Sequence, residues 1–260
     1  MTPLDAAHAA MERDGADEAD RLRFFDCLAD GEFFLLLEEE PQGTDLKPRI
    51  FPLEDGPVVL IFDLEERMAE FSGGIAPYAA LPGRVIAQVL AGQGVGLGVN
   101  LGVAPSQMML PPEALDWLSG MLEAEPEEME AQAQAFTAPG ALPDRLIEVL
   151  QAKLARAGGL AATALLAGVT YATGAKGHLL AFIDAAPEAE AALARAVREA
   201  LAFSGVEAGM IDVVFLSGQD AAVARLARVA RRFDLPARVL PETAAPAAPG
   251  TDPDRPPRLR

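Results

Sequence analysis

Arginines near the end of the chain form its densest group of side chains that could recognise a charged partner. The spacing of apolar residues predicts a helix over 219–232, on which Arg225, Arg228 and Arg232 share one face. Guanidinium groups pair well with carboxylates. The sequence therefore predicts a docking surface for an acidic partner or for the acidic first half of the chain. The alternative is an amphipathic helix whose basic face is only solvated.

A glycine-rich segment at 92–100 invites a nucleotide-binding interpretation. A dinucleotide fingerprint places glycines at positions i, i+2 and i+5, in the loop that opens a helix. No register of this segment fits, and its glycines alternate within a predicted strand over 95–101. The alternation instead predicts a strand that is packed closely by a helix. Asn100 and Gly102, at the end of this strand, are candidate interaction residues.

Residue types that serve catalysis or metal binding are few. His8, His178 and Cys27 have no spacing typical of a zinc site, and the apolar neighbours of Cys27 predict a buried, unreactive thiol. Ser106 and Ser217 follow predicted strands but lack a nucleophile motif, so we expect turn or helix-capping roles for them. The sequence thus predicts no catalytic residues, no metal site and no cofactor.

Charge is distributed unevenly along the 260 residues, which carry a net charge of −18. Residues 1–122 have 21 acids against 7 bases, whereas residues 143–240 have 10 acids against 11 bases. An acidic surface repels phosphate groups, which argues against nucleic acid or anionic lipid as the main partner. We expect contact between the two regions, or with a basic protein partner.

Two apolar segments, 56–63 and 177–184, each begin with Gly and end with Asp just before a predicted helix. The elements that follow them also correspond. This pattern predicts an α+β fold of two tandem units, each a small mixed sheet with helices packed mainly on one face. The expected parts are a first unit at 1–122, an acidic linker at 123–142, a second unit at 143–240 and a disordered tail at 241–260.

Local signals add detail to this organisation. Asp63 is expected to cap a helix over 64–71, with Glu66 completing a capping box. A last strand is expected at 236–240. No apolar run is long enough to span a membrane, and the N-terminus lacks the features of a signal peptide, so we expect a cytoplasmic protein.

The order of several segments resembles a known family. These segments are Phe24 to Leu35, Arg49 to Leu53, Val58 to Asp63, Val99 to Gly102 and Leu110 to Leu118. In this order they resemble the N-terminal domain of SseB, the enhanced serine sensitivity protein, and residues 143–240 resemble the SseB-type C-terminal domain. One departure is Leu101, where the family commonly has Pro after the Asn. The family has no agreed activity or catalytic residues, and its name is tied to serine sensitivity and, for some members, to secretion.

These observations predict a non-enzymatic interaction or accessory protein that recognises another protein. The alternative is a sensor that binds a small molecule such as an amino acid, with its pocket beside strand 95–101 or between the units. Pockets favour domain interfaces, and the tandem arrangement offers one. A hydrolase would need catalytic groups that are far apart in the sequence.

Overall fold

The computed structural model describes residues 1–41, 43, 46–54, 56–123, 133–205 and 211–236. It confirms an α+β fold in two units, each with its own mixed sheet. The expected tail at 241–260 and the residues 237–240 of the expected last strand lie outside the described residues.

Among the residues that the structure describes, the first unit has five helices and six strands. The helices are α1 (Pro3–Met11), α2 (Glu18–Asp30), α3 (Glu65–Ser72), α4 (Gly83–Leu90) and α5 (Pro112–Glu123). The strands are β1 (Glu32–Leu36), β2 (Phe51–Leu53), β3 (Gly56–Phe62), β4 (Tyr78–Pro82), β5 (Gly96–Val99) and β6 (Met108–Leu110). The sheet order is β4-β1-β3-β5-β6, and β2 also pairs with β3. Strands β3 and β5 pair in parallel, and the other pairs between these described strands are antiparallel.

The second unit begins with a strand and repeats part of this topology. Its elements are β7 (Ala133–Thr137), α6 (Asp144–Arg156), β8 (Thr163–Tyr171), β9 (Lys176–Ile183), a 3₁₀ turn (Pro187–Ala189), α7 (Glu190–Phe203), β10 (Ile211–Leu216), α8 (Ala221–Leu226) and β11 (Arg231–Asp234). The strand order is β10-β9-β8-β11, and β7 also pairs with β8. An antiparallel β8–β9 pair followed by a parallel β9–β10 pair matches β1, β3 and β5 of the first unit.

Helices cover mainly one face of each sheet. In the first unit, α1, α2, α4 and α5 bury a large apolar core against that face, while the other face has a smaller cluster beneath α3 that includes Phe62 and Met68. In the second unit, α6 and α7 cover one face, and Leu226 of α8 packs on the other. Each sheet therefore has a thick helical side and a thin side.

The thick helical sides of the two units pack against each other, with α2 and α5 contacting α7. Phe203, at the end of α7, is fully buried in the apolar core of the first unit. Gly205 lies so close to α2 that an added Cβ would be 2.5 Å from Cβ of Ala19. Arg145 of α6 also pairs with Asp20 of α2 at 3.1 Å. Apolar, close-packed and ionic contacts thus join the units.

Three expectations about elements are wrong. The expected linker contains β7, which pairs with β8, so residues 133–137 belong to the second sheet. The expected helix over 219–232 ends at Leu226, and residues 231–234 form β11 instead because they pair with β8. Asp63 does not cap α3: its N-cap residue is Leu64, without a side-chain hydrogen bond, because other partners engage Asp63.

The prediction that a helix packs closely on the glycine face of strand β5 is also wrong. This face meets side chains from the sheet and its adjoining loop instead of a helix, because a Cβ on Gly98 would lie 2.5 Å from Leu60 and 2.7 Å from Leu101. Absence of a side chain at Gly98 therefore lets the thin side of the sheet pack its leucines closely.

Candidate functional site

Asn100 lies inside the first unit, directly after β5. Its side chain is fully buried, and its backbone adopts a φ of 48°, in the left-handed region that Asn tolerates better than most residues. Its Oδ1 accepts from the Asp63 backbone N–H at 3.1 Å, and its Nδ2 donates to Ser106 at 3.0 Å. Asn100 therefore ties the parallel strand ends together and is not available as an exposed interaction residue.

Gly102 lies in the turn that follows. It is exposed, its φ is 74°, and its backbone N–H donates to Oε1 of Gln107 at 3.0 Å. The structure thus brings Asn100 and Gly102 into one turn, with only Gly102 at the surface.

Asn100 belongs to a group of hydrogen-bonded side chains that we call the strand-end network. Its members are Thr2, Asp5, Asp63, Arg67, Asn100 and Ser106. Asp5 receives hydrogen bonds from both terminal nitrogens of Arg67, at 2.6 and 3.0 Å, and from the Ser106 hydroxyl at 2.6 Å. Arg67 also pairs with Asp63 at 2.7 Å. Ser106 is fully buried in this network and also lies in a turn, as expected. Ser217 lies in a turn as well.

Electrostatics fix the protonation of this network. Burial alone would raise the pKa of Asp5, but the hydrogen bonds from Arg67 and Ser106 outweigh burial and hold that pKa well below its ordinary value. The hydrogen bond to Asp5 raises the pKa of Arg67. Asp5 and Arg67 therefore both stay charged and paired with each other. This pairing is typical of a structural role, here at the ends of the strands.

The three arginines predicted to share a helix face lie on different elements. Arg225 is on α8, where it covers the Phe136 ring at 5.1 Å and donates to the Gln134 carbonyl. Arg228 follows that helix and is exposed. Arg232 lies on β11 and pairs with Asp234 at 2.6 Å. The helix face that would have joined them does not form, because the chain leaves the helix before Arg228.

The largest cluster of opposite charges lies where the units meet. This inter-unit network consists of Asp26, Asp30 and Arg84 from the first unit and Lys153, Arg156 and Glu199 from the second. The Lys153 ammonium is 2.8 Å from Asp26, 2.9 Å from Asp30 and 3.1 Å from Glu199. Arg84 contacts Asp30 at 2.6 Å and Glu199 at 3.1 Å, and Arg156 contacts Asp30 at 2.8 Å.

Burial acts differently on two carboxyls of this network. It raises the pKa of Asp26, whose Oδ1 lies close to Lys153 but outside hydrogen-bond geometry. It would also raise the pKa of Asp30, but Lys153 and Arg84 outweigh burial and lower that pKa. Burial alone would lower the pKa of Lys153, yet Asp26 and Asp30 raise it above its ordinary value. Lys153 therefore stays an ammonium group although it is buried.

An open cleft of about 270 Å³ adjoins this network and is lined by both units. Asp30 and Arg84 line it from the first unit, and Lys153, Arg156 and Glu199 from the second. No residue of β5 lines it, so this inter-unit cleft corresponds to only one of the two places where a pocket was expected. Sequence reasoning missed the network itself. One signal was available, because Lys153 falls on the apolar face of α6, three residues after Leu150.

Other candidate groups carry no chemistry of their own. Burial raises the pKa of the half-buried Cys27 thiol, which keeps it protonated. Within the described part of the chain, no group of three His, Cys, Asp or Glu side chains is arranged to hold a metal ion. None of the helices in those residues has the length and apolar character needed to cross a membrane.

Comparison with known proteins gives one match. Residues 4–117 match the family model described as the SseB protein N-terminal domain. No curated protein and no solved structure matches the chain. The match ends before the second unit, so an SseB-type C-terminal domain over 143–240 stays a prediction. The first unit of this chain, over residues 4–117, therefore belongs to the SseB N-terminal domain family.

Proposed function

We propose that this protein is a non-enzymatic interaction protein that binds a basic, apolar segment of a protein partner. One support for the proposal is that the ionisable groups in the two buried networks of the protein form ion pairs and hydrogen bonds with one another. Acid–base and nucleophilic catalysis need a group that is free to exchange a proton or attack a substrate. In both buried networks the charged groups instead hold structure together.

The observation that carries this proposal is an apolar surface on the thin side of the first unit. This outer patch consists of Phe51, Leu53, Phe71 and Ile75. Leu53, Phe71 and Ile75 are exposed to 48%, 38% and 105%, and the Phe71 ring lies 6.3 Å from Phe51. Phe51 and Leu53 lie two residues apart on β2 and so share one face, and Ile75 follows α3 in the chain. A group of exposed apolar side chains is typical of interaction sites.

Acidic residues lie next to the outer patch in the chain. Glu54 follows Leu53, and Glu66 and Glu70 are exposed on α3, the helix that carries Phe71. Residues 1–122 as a whole carry a net charge of −14. A partner with an apolar face and lysine or arginine at its edges would complement this surface, and the acidic charge would speed its association.

Site-specific photocrosslinking tests the proposal in cells. A photoreactive amino acid at Ile75 should capture a defined basic protein, whereas the same amino acid at Val89 of α4, 64% exposed on the other side of the sheet, should not. Leu53→Glu should abolish the capture at position 75. Equal capture at positions 75 and 89, or capture that survives Leu53→Glu, would contradict the proposed surface.

A further inference from the structure

The accessible charge of the inter-unit cleft is positive, although the protein as a whole is strongly acidic. Its carboxyl groups are turned inward: the side chains of Asp30 and Glu199 are only 10% and 2% exposed. Arg84 and Arg156, in contrast, are 33% and 54% exposed, and Arg195 on α7 is exposed at the same cleft. A small molecule that enters therefore meets guanidinium groups first.

Two of these arginines have hydrogen-bonding capacity to spare. A guanidinium carries five N–H donors. Arg156 uses Nη1 to contact Asp30, and Arg195 forms no ion pair or hydrogen bond with any residue that the structure describes. Donors for an anion are therefore present without breaking the inter-unit network.

Each carboxylate oxygen at the cleft already accepts a hydrogen bond from a cation. The two oxygens of Asp30 accept from Arg84 and Lys153, and the two oxygens of Glu199 accept from the same two residues. An ammonium group entering the cleft would meet cations and occupied carboxylates. The cleft thus favours an anion and disfavours a zwitterion.

The remaining walls are small and apolar. They are formed by Ala29, Pro82, Ala157, Leu160, Ala192, Leu193 and Ala196. At about 270 Å³ the cleft is slightly smaller than the usual range for ligand sites, which runs from roughly 300 to 1,000 Å³. A short aliphatic chain fits this lining, and a nucleotide or large ring system does not.

We propose that the inter-unit cleft binds a small aliphatic carboxylate without an ammonium group, held by Arg156 and Arg195. The carboxylate pairs with the two guanidinium groups, and its carbon chain packs on Ala157, Ala192 and Ala196. This site is independent of the outer patch, because it lies on the thick helical side of the first unit. Since both units line the cleft, a bound carboxylate also stabilises their contact.

Calorimetry and thermal unfolding of the full chain with matched probes test this proposal. Butyrate and 2-aminobutyrate differ only in the ammonium group, and inorganic phosphate serves as an anion without a carbon chain. Ionic strength is held constant with sodium chloride, because salt screens exposed charges. Butyrate should bind saturably and raise Tm, while 2-aminobutyrate and phosphate should bind much more weakly. Absence of butyrate binding at millimolar concentration, or equal binding of either other probe, overturns the proposal.

Variants then assign the binding to the cleft. Arg195→Gln should weaken butyrate binding roughly tenfold, the loss expected for charge-assisted hydrogen bonds. Arg195 is exposed and unpaired within the described residues, so this variant should fold normally, which circular dichroism checks. Arg228→Gln removes an exposed arginine elsewhere and should leave the affinity unchanged. An equal loss in both variants would show a mere effect of net charge and would overturn the assignment to the cleft.

Discussion

The two buried polar networks of this protein differ in which parts of the chain supply their members. The strand-end network lies within the first unit, and its carboxylates also accept from the hydroxyls of Thr2 and Ser106 and from a backbone N–H. The inter-unit network balances three cations with three carboxylates, and each unit supplies part of both signs. The first network is finished when the unit folds, whereas the second requires docking of the units.

This difference shows how charge can specify an arrangement of domains. A buried charge is costly unless a partner meets it, so a change in docking would leave Lys153 and the carboxylates around it unmatched. Apolar contacts such as Phe203 in the first core tolerate small shifts better, because they have no direction. The inter-unit network therefore selects one docking geometry, while the apolar contacts supply the driving force.

Removal of the lysine should cause the largest effect. Lys153→Met leaves three partly buried carboxylates with fewer cations, and we expect a loss of about 3–5 kcal/mol in the free energy of unfolding. Urea denaturation measures this loss. Lys176→Met, which removes an exposed lysine on β9, is the matched control and should change stability by less than about 0.5 kcal/mol. Similar losses in both variants would refute a special role for Lys153.

The strand-end network should respond somewhat less. Asp5→Ala removes the acceptor of Arg67 and Ser106, but Arg67 keeps Asp63 as a partner. We expect a loss of about 3 kcal/mol, measured by the same denaturation. Asp14→Ala, at an exposed position between α1 and α2, should be nearly neutral. If Asp5→Ala were equally neutral, the network would not stabilise the strand ends.

Two carboxyls that contact the same lysine should show opposite pH dependence. The lowered pKa of Asp30 means that its carboxylate stabilises the fold above its unfolded pKa, and that this stabilisation is lost as pH falls through the folded pKa. The raised pKa of Asp26 has the reverse sign, because its stabilising contribution is lost as pH rises through the folded pKa.

Substitution of Asn for Asp26 or for Asp30 tests the opposite pH dependence of the two carboxyls. Asp30→Asn should lose about 2 kcal/mol at pH 7 and less in acid. Asp26→Asn should become more favourable relative to the wild type as pH rises. Denaturation between pH 3 and pH 7, a range set by the ordinary Asp pKa of about 3.9, measures both differences. Parallel pH profiles would mean that burial does not distinguish the two carboxyls.

The smallest effect is expected at the corresponding strand end of the second unit. Asp184 follows β9 with a φ of 51°, and its Oδ1 accepts from the Gly218 backbone N–H at 2.7 Å, but it is exposed. Asp184→Ala should therefore cost about 1 kcal/mol. Asn100→Ala, at a buried position with a similar φ after β5 of the first unit, should cost clearly more. Equal costs would show that backbone conformation, and not burial, determines both values.

Local patterns predicted the elements of the fold well where apolar periodicity and glycine agreed. Strand β3 and strand β9 follow such patterns. The prediction of a helix over 219–232 is wrong after Leu226. Val223, Leu226 and Val229 have helical spacing, but the helix ends before Ala227, so the spacing extended the predicted helix too far. Strand β7 was missed because its pairing with β8 outweighs its weak local preference.

Sequence reasoning found Asn100 but not its setting. An Asn after a buried strand is a visible feature, whereas its contacts with Asp63 and Ser106 depend on how the strands pair. Lys153 and Asp30 are separated by 123 positions, and no local rule connects them. Long-range ion pairs of this kind follow from the docking of two finished units, which the order of residues alone does not reveal.

The burial of Phe203 in the first core has a consequence for synthesis on the ribosome. A nascent chain that has reached α5 contains every strand and helix of the first unit, but it lacks the aromatic ring that fills part of that core. An apolar groove stays open to water until α7 has emerged and docked. During that interval the growing polypeptide exposes apolar surface that the finished protein buries.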